Sequence, residues 1–206
     1  AAIVTVPTSV IASEALRFRP ALPDKLAAAA ALPLGLADKL FLRIDGPEKL
    51  PPETRFLGAI DRTATASYHL RPFGWPVIEG YFGGELARAL EAEGEKAFAQ
   101  FAMDEFAAVF GNGIRKHLHL IAASAWAQDP VARGSYSYAK VGCAEARRAL
   151  AAPVDDRLFF AGEACSTHDF STAHGAFRTG VAAADVAAAA LRTSVPSARR
   201  SGATSD

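Results

Sequence analysis

Cysteine is nearly absent from this sequence, with Cys143 and Cys165 alone in 206 residues. That excludes a disulfide scaffold and any cysteine-rich zinc module. An excess of charge is absent too: 22 Lys and Arg balance 22 Asp and Glu. The chain therefore lacks the electrostatic footprint of a nucleic-acid or anionic-membrane binder. No apolar run approaches the roughly 20 residues of a membrane span. The first residues, Ala1-Ala2-Ile3-Val4-Thr5-Val6-Pro7, have no Met and no basic region, so they do not read as a signal peptide. They read as a strand entered at once, from which we expect a piece of a longer chain. Two unpaired cysteines and no signal point to the cytoplasm. Half the residues are apolar, which excludes wholesale disorder. Much of that half is alanine, which favours closely packed helices.

Periodicity and turn residues divide the chain. A short apolar strand over 3–6 stops at Pro7. Pro20, Pro23 and Asp24 introduce a helix over 25–32, with Asp24 as a fair N-cap, and Pro33 and Gly35 end it. Strands follow over 36–44 and 55–60, separated by an Asp45-Gly46-Pro47 turn. A loop rich in Arg, Pro and Gly runs to Pro76, then a strand over 77–82. Helices are expected over 85–91 and 95–110; the second repeats apolar residues near a 3.6 period and stops at Gly111-Asn112-Gly113. The remaining elements are strands over 118–126 and 157–161 and an alanine-rich helix over 173–191. The tail over 193–206 reads as disordered. The class is mixed α/β. The first and last strands are apolar throughout, as in a sheet covered on both faces. The layout expected is one sheet from the two ends of the chain and a second from its middle.

The stretch richest in chemistry is Phe159 to Gly180, FFAGEACSTHDFSTAHGAFRTG. A buried strand ends at Gly162-Glu163, and a helix opens near Ser171-Thr172. Ligands in such folds bind beyond the carboxyl ends of strands. Gly162 lets a ligand approach the backbone, and Glu163 can accept hydrogen bonds from sugar or ribitol hydroxyls. The helix start offers free N–H groups near Ala173 and His174 and a positive dipole end. Gly175 and Gly180 would let the helix pack tightly. A plain strand-loop-helix crossover with a capped helix explains the same residues. His117 and His119 share one face of an expected strand, but zinc needs more ligands than they supply.

The residues Phe160-Ala161-Gly162-Glu163 and Ser171-Thr172-Ala173-His174-Gly175-Ala176 resemble the C-terminal flavin motif of the flavin-containing amine oxidases. That family includes monoamine oxidases, polyamine oxidases and lysine-specific histone demethylases, and the motif is nearer to the last two. Four further segments resemble it in order: Ile3-Val4-Thr5-Val6-Pro7 as the strand that precedes the substrate domain, Phe18-Arg19-Pro20-Ala21-Leu22-Pro23 after it, Leu34-Gly35 through Lys39, and Trp126, Asp129-Pro130 and Gly134-Ser135-Tyr136.

The resemblance implies the C-terminal part of a two-domain FAD-dependent fold. Residues 1–10 would be a strand of the FAD-binding domain, 11–125 the substrate-binding domain, and 126–192 the rest of the FAD-binding domain. It implies oxidation of a small-molecule amine: hydride transfer to the flavin, imine release, and reoxidation by oxygen to give hydrogen peroxide. Lys39 would be the flavin-facing catalytic lysine, although a lone strand lysine otherwise reads as a solvated face. Trp126, Tyr136 and Thr172 would contact substrate, with aromatic faces suited to an amine. Thr172 stands where monoamine oxidases carry a second aromatic, which leaves the wall more open. Val4, Gly162, Glu163, Thr172, Ala173 and Trp126 would contact the cofactor, Ala173 through its backbone N–H. Ser135 stands where some members carry the cysteine linked to flavin, so the FAD would be non-covalent. Cys143 and Cys165 read as small buried apolar residues. His174 would be a structural neighbour of the site.

The GxGxxG turn that holds the ADP half of FAD does not occur in the sequence. The expected partner is therefore an N-terminal half of the same fold, and the chain alone is expected to expose apolar surface. Two rivals stand beside an amine oxidase: a related flavin oxidoreductase such as a carotenoid desaturase or protoporphyrinogen oxidase, and a non-catalytic remnant serving as an interaction module.

Overall fold

The structure is a computed structural model, and it describes residues 1–46 and 50–193. The end of the Asp45-Gly46-Pro47 turn and nearly all of the expected tail lie outside the described residues. The elements in chain order are β1 (Ala2–Val4), α1 (Thr8–Ala12), α2 (Pro23–Ala31), β2 (Ala37–Ile44), β3 (Thr54–Leu57), β4 (Ser67–Leu70), β5 (Val77–Gly83), α3 (Gly84–Glu93), α4 (Glu95–Phe110), β6 (Leu118–Ala123), α5 (Ala146–Ala151), β7 (Leu158–Phe160) and α6 (Ala173–Thr193). The ends of the chain form one sheet and its middle another, as the sequence predicts. The chain falls into two compact units, Ala1–Pro33 with the residues from Ser137 on, and Leu34–Tyr136. Helices α1 and α2 group with the terminal sheet because α2 packs on both α1 and α5. The expected domain limits at 10 and 125 thus differ from the limits of these units.

The Leu34–Tyr136 unit is a five-stranded antiparallel sheet in the order β3-β4-β5-β2-β6. Side chains alternate across a strand. In β2, Asp38, Leu40, Leu42 and Ile44 are buried, while Lys39, Phe41 and Arg43 are not. The buried face packs against α3 and α4, whose Ala87, Leu90, Phe98, Ala102 and Phe106 belong to one core with Leu40, Ile78 and Phe82. Aromatic edges fix this packing: Tyr68 meets Phe106 at 4.9 Å and Phe82 meets Phe98 at 5.1 Å between ring centroids. Glu105 is buried beside them and accepts hydrogen bonds from Tyr68 Oη (2.8 Å) and Thr65 Oγ1 (3.0 Å). Burial and that carboxylate push the Tyr68 phenol far above its usual range.

Strand β4 lies inside the segment expected as loop. Its four residues alternate too briefly to stand out, yet Tyr68 and Leu70 point inward and pair with β5. Strand β6 stops at Ala123, three residues before the expected end, because Asp38 captures the chain beyond it: Ser124 Oγ donates to Asp38 Oδ1 at 2.7 Å.

In the other unit, β1 and β7 pair in parallel, Val4 against Phe160. Strand β1 ends at Val4, short of the expected Val6, since β7 offers only three residues. Two short helices that the sequence does not predict, α1 and α5, fall below the length at which periodicity is readable. Ile11, Ala28, Ala29, Leu32, Leu150 and Phe160 make the core. The buried Lys25 Nζ donates to the carbonyls of Ala149 (2.7 Å), Leu150 (2.9 Å) and Ala152. An ammonium thus caps the C-terminus of α5 where the helix dipole is negative. Burial lowers its pKa below the usual lysine value. Helix α6 leaves Phe177, Val181, Val186 and Leu191 exposed, in keeping with the expected apolar surface.

Phe106, fully buried, and Val109, exposed on the same helix, make a matched pair. In urea unfolding, Phe106→Ala should cost about 3–5 kcal/mol of stability, while Val109→Ala should stay within about 0.5 kcal/mol.

Candidate functional site

On the Leu34–Tyr136 unit the candidate residues gather on the face of the sheet opposite the helices. The β2–β5 ladder sets Lys39 against Tyr81. Lys39 Nζ lies 5.1 Å from the Tyr81 ring centroid and pairs with the Glu79 carboxylate. The Tyr81 hydroxyl hydrogen-bonds the Tyr136 hydroxyl. Partial burial, with the Tyr136 hydroxyl beside it, pushes the Tyr81 phenol up to about 12. Lysine, carboxylate and two phenols thus form one connected, partly exposed patch.

Tyr136 is held by its backbone. Its carbonyl accepts the Gly35 amide at 2.8 Å. Ser135 Oγ donates to Ala37 O (2.9 Å) and accepts from Ala37 N (2.8 Å), so this serine ties the segment to β2. Trp126 is 43% exposed. Its amide donates to Asp38 Oδ1 at 3.3 Å, and its carbonyl accepts the Gly134 amide at 2.9 Å. The structure therefore links Lys39 to Tyr136 through Tyr81, and Trp126 to the Gly134–Tyr136 segment.

On the other unit, the Ala161 amide donates to the Val4 carbonyl at 3.0 Å, which places Gly162 just beyond the β1–β7 pair. Gly162 has φ +138°, a conformation that favours glycine, and nothing lies within 4 Å of where its Cβ would stand. Thr179 Oγ1 fixes it from below, accepting its N–H and donating to its carbonyl. Glu163 takes three hydrogen bonds, from Ser137 N (2.9 Å), Ser137 Oγ (2.8 Å) and Ser171 N (2.7 Å). Buried Arg147 donates to Ser137 Oγ (2.9 Å) and Ala164 O (3.2 Å) and stacks 4.3 Å from the Phe170 ring. This network fixes the loop between β7 and α6.

Thr172 caps α6: its Oγ1 accepts the Gly175 amide at 3.0 Å and donates to Asp169 O at 2.6 Å. Ala173, at the first position of the helix, has no acceptor for its N–H within the helix. A Cβ on Gly175 would lie 1.9 Å from Asp169 O, so the close approach expected there is real; around Gly180 the space is open. His174 and Arg178 both pair with Asp169.

Sequence reading misses Glu79, Tyr81, Ser137 and Arg147. The outward register opposite Lys39 is the available signal for Tyr81. Cys165 is buried and its thiol is pushed up to about 11 by that burial, but Cys143 is only half-buried. His119 pairs with Asp45 at 2.7 Å. Among the described residues no three His, Cys, Asp or Glu side chains group to hold a metal, and no helix is long and apolar enough to cross a membrane.

The fold matches that of putrescine oxidase, in a triple mutant made to redesign cofactor binding, with a TM-score of 0.69 and 18% identity over 91% of this chain and 42% of that one. This is a mixed α/β fold of which the chain covers a part. The family model of flavin containing amine oxidoreductases matches residues 1–188, so the chain belongs to that family. It is 35% identical to polyamine oxidase 3 of Oryza sativa subsp. japonica, covering 90% of this chain and 38% of that one. It is 34% identical to polyamine oxidase 2 of Arabidopsis thaliana, with the same coverage. Identity falls to 29% with lysine-specific histone demethylase 1 homolog 3 of Arabidopsis thaliana, over 88% of this chain and 12% of that one. The chain thus spans 38% of the length of the polyamine oxidases it matches.

Glu163→Ala removes the acceptor of two loop amides and the carboxylate facing Arg147. Hydrogen exchange at Ser137 N and Ser171 N should accelerate at least about tenfold, as expected for the loss of about 1.4 kcal/mol of local stability.

Proposed function

We propose that this chain is the C-terminal portion of an FAD-dependent amine oxidase that binds its FAD non-covalently. The observation that carries the proposal is the Lys39–Tyr81–Tyr136 patch, in a chain whose family is defined by flavin and amine. The residues fit the cofactor at its flavin end. Gly162 leaves open the space a side chain would fill, and the start of α6 presents the Ala173 N–H to a carbonyl oxygen. Val4, Glu163 and Thr172 complete the proposed contacts. Glu163 keeps the loop in place and has lone pairs left for a ribityl hydroxyl. Ser135 cannot form a thioether.

FAD, when bound, supplies the acceptor for the two electrons and the hydrogen taken from the amine carbon, with oxygen reduced to hydrogen peroxide afterwards. The chain's residues bind and orient. Trp126, Tyr136 and Tyr81 offer ring faces and hydroxyls to an amine. Lys39, paired with Glu79, is proposed as the flavin-facing catalytic lysine that would assist reoxidation of the flavin through a water. The unlinked thiols Cys143 and Cys165 suit the cytoplasm.

A second reading, a chain without catalysis of its own, is favoured by the absent GxGxxG turn and by the 38% coverage. One experiment separates the two. The chain is incubated with FAD, alone and with a separately expressed dinucleotide-binding half from a related polyamine oxidase, and then desalted. Flavin absorbance and amine-dependent peroxide should return together in the mixture, and Lys39→Met should lower peroxide formation at least about tenfold, roughly 1.4 kcal/mol. A mixture that folds but retains no flavin would leave the non-catalytic reading standing.

A further inference from the structure

Two acidic side chains are buried in the Leu34–Tyr136 unit and lie outside the patch described above. Asp38 is inaccessible to solvent and Glu91 is 4% exposed. Asp38 stands on the inward face of β2 among leucines. Glu91 lies in the last turn of α3, where the negative end of the helix dipole disfavours another negative charge. The two carboxyl groups are within hydrogen-bonding reach of each other. Asp38 Oδ2 is buried and has no hydrogen-bond partner among the described residues, so a proton on the neighbouring Glu91 carboxyl would give it one. The charged groups around them do not neutralise two anions. Arg88 on α3 is exposed, lies 3.9 Å from Glu85 and lowers Glu91 by less than burial raises it, Lys39 on β2 faces the other side of the sheet with Glu79, and Asp129 beyond the turn is itself an anion capping Val131 and Ala132. Two buried carboxylates in contact cannot both stay ionised.

The chain after β6 hangs on this pair. Ser124 Oγ and Trp126 N donate to Asp38 Oδ1, and Ala127 N donates to Glu91 Oε1 at 3.0 Å. Gln128 Nε2 donates to the Glu91 carbonyl at 2.6 Å. Trp126 O in turn holds Gly134, two residues before Tyr136.

We propose that Asp38 and Glu91 hold one proton between them, and that this shared proton makes them positioning residues for the Trp126 turn. That the turn serves an amine site rests on the function proposed above; the shared proton does not. Burial, reinforced by Asp38, holds Glu91 above the usual glutamate range. The folded chain therefore keeps a proton that the unfolded chain has lost. Stability is fullest below the ordinary glutamate pKa and falls as pH rises through the raised folded value. Loss of the proton leaves two anions side by side and loosens the turn.

The test uses the whole 206-residue chain with Trp75→Phe, which leaves Trp126 as its one tryptophan. Emission of Trp126 and Tm are followed against pH. The parent should show a red shift and a falling Tm at a pH above the ordinary carboxylate range. Glu91→Gln keeps a donor to Asp38 and should abolish that transition with Tm at low pH within about 2 °C of the parent, whereas Glu91→Ala should lose about 5 °C or more. Asp38→Asn should move the transition down toward ordinary carboxylate pH. An unchanged transition in Glu91→Gln, or equal melting of the Gln and Ala variants, would overturn the proposal. The readout needs neither flavin nor amine, so its failure leaves the amine oxidase reading untouched, and the failure of that reading leaves the readout valid.

Discussion

Strand β2 is hydrogen-bonded along both edges, to β5 on one side and β6 on the other, and its two-residue period constrains everything around it. Because Leu40, Leu42 and Ile44 must face α3 and α4, Lys39 is committed to the opposite face. Pairing with β5 then puts Tyr81 directly across from it. A slip of one residue would bury Lys39 and expose three core side chains, so register and site geometry are selected together. The aromatic packing of Tyr68, Phe82, Phe98 and Phe106 holds the register from the other face. Asp38 is the exception on that inward face, and it is the residue from which the chain after β6 is suspended.

The same solution recurs through the molecule. Segments without regular structure are fixed by buried or half-buried ionisable side chains whose hydrogen bonds go to backbone groups. Lys25 closes α5, Glu163 and Arg147 close the loop before α6, and Asp38 and Glu91 close the turn at Trp126. Burying an ionisable group costs several kcal/mol before its bonds form. Such groups add little net stability over an apolar core, but removing one partner strands the other. They therefore give these loops one arrangement.

Much of this is legible in the sequence and some is not, for physical reasons. The helices over residues 95–110 and 173–191 carry enough turns for a 3.6 period to show, and the apolar 158–160 strand is bounded by glycine. The flavin motif is legible in part because the backbone conformation demands three of its residue types. Gly162 stands at positive φ, Thr172 caps the helix, and Gly175 packs against Asp169 O. Strand β4 is hidden because its four residues sit between turn formers, and α1 and α5 because a helix of five or six residues displays less than two turns. The patch is half legible. Lys39 and Tyr136 come from the motifs, but Tyr81 and Glu79 depend on which strand pairs with β2, a fact of topology that no local pattern encodes. Asp38 and Glu91 are invisible for the same reason: their meaning lies in facing each other from β2 and α3, far apart along the chain.

The unit built from the chain ends has the opposite character from the sheet unit. Its sheet is two parallel strands of three residues, a kind of sheet that is stable only when covered and extended. Ile3 on β1 and Phe177, Val181, Val186 and Leu191 of α6 remain exposed. If the proposed N-terminal half pairs there, its binding and that of FAD must be linked. A partner that covered α6 and extended β1–β7 would stabilise the turn at Gly162 and the start of α6 that Thr179, Glu163 and Thr172 already hold, and a cofactor seated on those groups would favour the covered form in turn. The Lys39–Tyr81–Tyr136 patch belongs to the unit with its own five-stranded core, so its geometry is set by that core's register.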